Sequence, residues 1–81
     1  MLQVELFQGP KPLYQGVAQE VVLPGEDGEL SVWAWHAPLL CTLAPGDVVV
    51  DERRYALPGG LACVWRNRVV ILGRMSWPSS D

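Results

Sequence analysis

No stretch of this chain runs far without a residue that breaks a helix: seven Pro and eight Gly are spread evenly along 81 residues. Proline lacks the N–H that a helix interior needs, and glycine loses the most backbone freedom on ordering. No segment carries apolar residues at i, i+3, i+4 and i+7 behind an N-cap, so helix is nearly excluded. What recurs instead is a short apolar run, a turn, and another short apolar run. That is the spacing of an all-β sandwich or barrel.

The runs can be placed one by one. Leu2–Phe7 is the first strand, ended by "GPKP", where Pro10 and Pro12 cannot donate to a ladder. Leu13–Gly16 and Val17–Leu23 follow, the second stopping at Pro24; Glu29–Trp33 comes next, then Leu39–Leu43 after "HAP". "APG" turns into Asp47–Asp51, a short charged turn leads to Arg53–Leu57, and "PGG" leads to Leu61–Arg66. Asn67 reads as a left-handed hairpin position before Arg68–Leu72. Nine or ten such strands in one short chain must pack as two sheets. Alternation at Val48 and Val50 against Val49, and at Ala62, Val64, Val69 and Ile71, supplies the inner faces. The expectation is one flattened two-sheet β-sandwich of about ten strands over residues 1–74. Residues 75–81 form a short, frayed tail.

Composition removes several function classes. The net charge of -3 and six scattered basic residues offer no concentrated positive footprint for nucleic acid. Cys41 and Cys63 lie far apart with no CxxC, so no metal or redox motif is indicated. "MLQVELF" lacks the basic region and long apolar run of a secretory signal, and no apolar run is long enough to cross a membrane. Both thiols are therefore expected reduced and mostly buried in a cytosolic protein. Four Trp are many for this length, and each brings a large apolar area that must be covered by core or partner.

Candidate chemistry is sparse. His36 is the only histidine, and Cys41 lies five residues on, but a Cys–His nucleophile also needs an oxyanion site and an orienting group. A ring hydrogen-bonded to backbone in the turn before Pro38 is the stronger reading of His36. Glu26, Asp27 and Glu29 lack the twelve-position donor spread of a calcium loop. They read as a solvated acidic turn, with Gly25 and Gly28 expected to supply positive φ. Trp33 and Trp35, two apart, would share one face of a strand, either core or partner surface. Trp65 and Trp77 are open in the same way.

One ordered set of motifs adds a further reading. The pattern "VVLPGEDGEL.V...HAPLL..L.PG", flanked by "VELFQGPKPLYQG" and "YALPGGLACVWRNRVVILG", resembles the epsilon subunit of F-type ATP synthase in its amino-terminal domain, across nearly all of residues 2–73. The resemblance implies a ten-stranded β-sandwich in the central rotor, bound to the gamma subunit and resting on the membrane's c-ring. It implies a peripheral position on the cytoplasmic face of a bacterial inner membrane, with no direct insertion, no reaction of its own and no cofactor. The acidic loop Glu26, Asp27, Gly28 and Glu29 would face the ring, whose loops in that family usually carry an Arg. Trp35, His36, Ala37, Pro38 and Cys41 would face gamma.

Departures from the family pattern shape further expectations. Ser31 stands where a Gly is common, and Ala34–Trp35 replace a Pro-Gly pair before the His. A Trp held at positive φ is strained, so the turn is expected to be rebuilt, with Trp35 as an anchor on gamma or a lid on the core. The family usually continues into a two-helix domain that regulates hydrolysis and in some members binds ATP; a chain of this length is expected to do neither. A free-standing adaptor sandwich with a different protein partner is the alternative from another class.

Overall fold

The computed structural model describes residues 1–75 of the chain. Trp77 and most of the proposed tail lie outside them. Nine strands form among the described residues: β1 Leu2–Gln8, β2 Lys11–Ala18, β3 Glu20–Gly25, β4 Gly28–Trp33, β5 Leu39–Leu43, β6 Gly46–Val50, β7 Arg53–Leu57, β8 Gly60–Trp65 and β9 Arg68–Gly73. The all-β class follows from the breaker spacing: every turn but the one at Gln19 falls on or beside a Gly, Pro, Asn or Asp.

Two boundaries differ from the sequence expectation. Leu13–Gly16 and Val17–Leu23 are not separate strands: β2 runs unbroken from Lys11 to Ala18, and the chain turns only at Gln19. Pro12 is tolerated inside β2 because that strand lies at the end of the sheet path, and its register with Phe7 follows a bulge after Leu6. Pro24 likewise stays within β3, opposite Glu29 of β4.

Hydrogen bonding runs in the order β2-β1-β9-β8-β5-β3-β6-β7, with β4 on the remaining edge of β3. The pairs are antiparallel except β1 with β9, which run parallel. One layer is β2-β1-β9-β8-β5; the other is β4-β3-β6-β7. The join is narrow. β3 pairs with β6 at Val21 and Val22, then reaches β5 through Gly25 opposite Leu43.

The alternation places one side chain in two between the layers. Leu2, Val4 and Leu6 of β1, Val48 and Val50 of β6, and Val69 and Ile71 of β9 are almost wholly buried. No aromatic residue is among the fully buried side chains, and no buried polar or charged residue is present among the described residues. Short aliphatics thus fill the core. The tryptophans described are left to the outside.

Candidate functional site

The register sorts the turns into two ends, because every strand runs from one to the other. At the first end are the Glu26–Asp27 tip between β3 and β4 and the Pro58–Gly59 turn before β8. At the second are Gln19, the Ala34–Pro38 connection, the Asp51–Glu52 turn and the Arg66–Asn67 turn. Gly28 and Trp33 bound β4, so five steps of extended chain, roughly 16 Å, separate the two ends along it.

The acidic tip is a two-residue connection between Gly25 and Gly28, which face each other in register. Gly28 has φ 129°, a conformation that favours glycine, but Gly25 does not have positive φ, contrary to expectation. Gly25 is required by proximity instead. A Cβ there would lie 2.8 Å from the Gly28 carbonyl oxygen and 3.3 Å from Cys41 Sγ. The tip is also pinned to the other layer. Glu26 N–H donates to Thr42 O at 3.0 Å and Ala44 N–H donates to Pro24 O at 2.8 Å, either side of the Gly25–Leu43 rung.

Glu26, Asp27, Gly28 and Glu29 are all exposed. The ion pair found among the described residues is Arg54 with Asp47 at 3.6 Å, so the three carboxylates of the tip carry no protein counter-charge there. An open groove of about 470 Å³ runs beside them, lined by the tip together with Leu39, Leu40, Cys41 and Thr42 of β5. Cys41 therefore sits with the acidic tip, away from Trp35.

At the second end Trp35, Ala37 and Pro38 are exposed and His36 is half-buried. His36 Nδ1 lies 2.7 Å from Ala37 O; a carbonyl only accepts, so that nitrogen carries the proton. Cys41 Sγ–H reaches its neighbour's carbonyl, Thr42 O, at 3.5 Å. Each side chain is thus turned onto nearby backbone, and the two form no nucleophile–base pair.

The turn at Trp35 is not rebuilt. Trp35 keeps φ 62°, a left-handed conformation that costs a side-chain-bearing residue roughly 1–2 kcal/mol. It is held there from outside: Trp35 N–H donates to Asn67 Oδ1 at 2.9 Å. Asn67, itself at φ 62°, donates through Nδ2 to Met1 O at 2.6 Å and accepts Gln3 N–H on its own carbonyl at 3.0 Å. With Arg66 at φ 50°, both central residues of this hairpin are left-handed, as a type I′ turn requires. Because β4 stops at Trp33, Trp33 and Trp35 do not share a strand face, and both lie outside the core at 64% and 77% exposure. Trp33 is tethered by its indole N–H to Glu20 Oε2 at 2.7 Å.

One surface was not anticipated from the sequence. Leu40, Leu61, Cys63, Trp65 and Leu72 are exposed on the outer side of the first layer. The ladder puts Leu40 opposite Cys63, and Leu61 opposite Leu72. Cys63 is thus solvent-facing, and the expectation of two mostly buried thiols fails, because Ala62 and Val64 take the inward positions on β8. The signal was present in "LACVW" and "VVIL", where apolar residues occupy consecutive positions. Such runs mark strands covered on both faces.

A sequence model described as "ATP synthase, Delta/Epsilon chain, beta-sandwich domain" matches residues 1–76. The chain is 40% identical over 75 residues to the chloroplastic ATP synthase epsilon chain of Tetradesmus obliquus, covering 88% of this chain and 55% of that protein. It is 39% identical over 77 residues to ATP synthase epsilon chain 2 of Ralstonia nicotianae, covering 89% and 55%. The chain thus spans about half the length of these relatives. Its fold matches a chain of the Euglena gracilis mitochondrial ATP synthase OSCP/F1/c-ring structure with a TM-score of 0.81, at 24% identity, over 89% of this chain and 49% of that one. A chain of the Tetrahymena thermophila mitochondrial ATP synthase central stalk and c-ring structure gives 0.74 at 18% identity, over 93% and 63%. Family, fold and motif order agree: the chain belongs to the ATP synthase delta/epsilon family, as its beta-sandwich domain.

Proposed function

We propose that this sandwich is a rotor element that joins the gamma subunit of a rotary ATP synthase to the membrane c-ring. It acts at the cytoplasmic face of a bacterial inner membrane and does no bond chemistry of its own. The observation that carries the reading is the rigid acidic tip. Glu26, Asp27 and Glu29 project from a hairpin tied to β5 and form no ion pair among the described residues. Such a tip is suited to basic loops on a ring, where charge complementarity sets register and docking rate more than affinity.

The gamma contact is assigned to the connection carrying Trp35, His36, Ala37 and Pro38 and to the adjoining face of β5. Leu40 projects there at 72% exposure, while Cys41, the next residue, is half-buried and packs against the core. Torque transmission needs a wedge that does not shear. A core with no buried polar or charged residue among the described residues, and ladders that tie both ends, suit that need.

Co-expression with the gamma subunit of the same synthase tests the reading. The tagged chain should retain gamma at one-to-one yield through purification. A well-folded chain that leaves gamma behind would contradict the assignment and favour a free-standing adaptor.

A further inference from the structure

We infer that β4 is a self-complementary sheet edge through which the free chain pairs with a second copy of itself, antiparallel about Ser31. The pairing involves this chain alone and is independent of the gamma and ring contacts proposed above.

Among the described residues β2, β7 and β4 are the strands paired on one side only. A bare edge is a template for another chain, and proteins block it with proline, bulges, basic charge or a covering element. β2 holds Pro12 and a bulge, and β7 carries Arg53 and Arg54. Tyr14 and Tyr55 also bring these two edges against each other. β4 has none of these devices. Gly28–Trp33 holds no proline and no basic residue, and its register with β3 is unbroken.

Which groups the edge offers follows from β3. Glu20 O accepts Asp51 N–H and Pro24 O accepts Ala44 N–H, so these alternate residues turn away from β4. Val21, Leu23 and Gly25 therefore turn towards it, where they meet Val32, Leu30 and Gly28. The residues between, Glu29, Ser31 and Trp33, point their N–H and C=O groups outward. Trp33 O takes His36 N–H at 3.2 Å; the other outward groups have no backbone partner among the described residues.

A second β4 running antiparallel about Ser31 matches these groups. Ser31 then faces Ser31, Glu29 faces neutral Trp33, and half-buried Leu30 meets Val32 on the inner side. No like charges stand opposite. The nearest, Glu20 of the other copy, lies one strand further in, roughly 10 Å away. It is already engaged by the Trp33 indole. Asp51 and Glu52 sit at the β6–β7 turn, further still from the edge. Glu26 and Asp27 approach the other copy's Ala34–Pro38 connection, which carries His36 and no carboxylate. The two-fold closes on itself, so association stops at a dimer. Given the tip reading above, a chain paired in this way cannot dock through Glu29 at the same time.

So short a seam is weak, and each copy carries a net charge of -3, so the dimer should need high concentration and tighten with salt. Sedimentation equilibrium of the full chain from about 1 to 500 µM measures it. Over that range the Glu29, Ser31 and Trp33 amides should gain protection from hydrogen exchange, while Leu30 and Val32, already bonded to β3, should not change. Ser31→Pro removes the central N–H without touching the β3 ladder, and Ser31→Lys sets two like charges face to face. Each should weaken the dimer roughly ten-fold or more with little change in Tm. If Ser31→Pro melts early, Ser31→Lys alone decides. A chain that stays monomeric throughout overturns the inference. So does a dimer that keeps its affinity in Ser31→Lys, leaves those three amides unprotected, or is lost on Trp65→Ser, since each places the contact elsewhere. None of these outcomes bears on gamma binding, which the co-expression above tests separately.

Discussion

Tyr14 of β2 and Tyr55 of β7 meet edge to face, with ring centres 6.3 Å apart and planes at 63°. These strands are the two ends of the hydrogen-bonded path, so no ladder joins them. The aromatic contact closes the sandwich along the seam that backbone pairing leaves open. Tyr14 is held for it by its own hydroxyl, which donates to Val17 O at 2.6 Å.

Removing one ring from that seam should open it. Tyr55→Ala is expected to cost roughly 2–3 kcal/mol, combining lost apolar burial with the aromatic pair itself. Tyr55→Phe keeps the ring and should stay within about 0.5 kcal/mol of the parent. Urea unfolding followed by Trp fluorescence measures both.

Asn67 ties three segments, so its loss should be felt well beyond its own turn. Asn67→Ala removes the acceptor for Trp35 N–H and the donor to Met1 O, and leaves Ala at a left-handed position. About 2 kcal/mol is expected, a Tm lower by roughly 8–16 °C for a domain of this size. Asn67→Gly loses the same bonds but tolerates the backbone, and should melt above the Ala variant in a scanning calorimeter.

Gly25→Ala tests the join between the layers. The added methyl meets the Gly28 carbonyl oxygen, a backbone atom that cannot swing aside. Relief requires the tip to shift away from β5, at roughly 1–3 kcal/mol. Hydrogen exchange should show the Glu26 and Ala44 amides losing protection first, since their bonds flank that rung.

Cys63 offers a footprint of the outer face. In the free chain an exposed Cys63 should react with a maleimide faster than half-buried Cys41. In the complex with gamma its labelling should slow markedly. Equal rates with and without gamma would place the contact elsewhere.

The strand ladder was readable from the sequence because Gly and Pro fall between runs whose alternation is strict, as at Val48, Val49 and Val50. The β2 boundary was misread because Pro12 signals a break, yet an edge strand needs no N–H on its outer side. Trp35 was harder. A lone residue gives no warning that a partner 32 positions away will hold its strained backbone, and Asn67 does so through one amide oxygen. Cys63 was misplaced for a related reason: in a continuous apolar run, one-residue register decides which side chains face water, and only the paired strands fix it. The acidic tip was legible as a turn; its attachment to β5 through Thr42 was not, because that contact spans the two layers.

The claim that torque passes through the acidic tip is tested most directly by ion-driven ATP synthesis in vesicles carrying the reconstituted complex. Glu29→Lys changes an exposed side chain, so stability should move by less than about 0.5 kcal/mol. The account predicts a clear fall in coupled synthesis, with partial recovery when the ring's loop arginine is changed to glutamate. Unaltered coupling in the Glu29→Lys complex would contradict it.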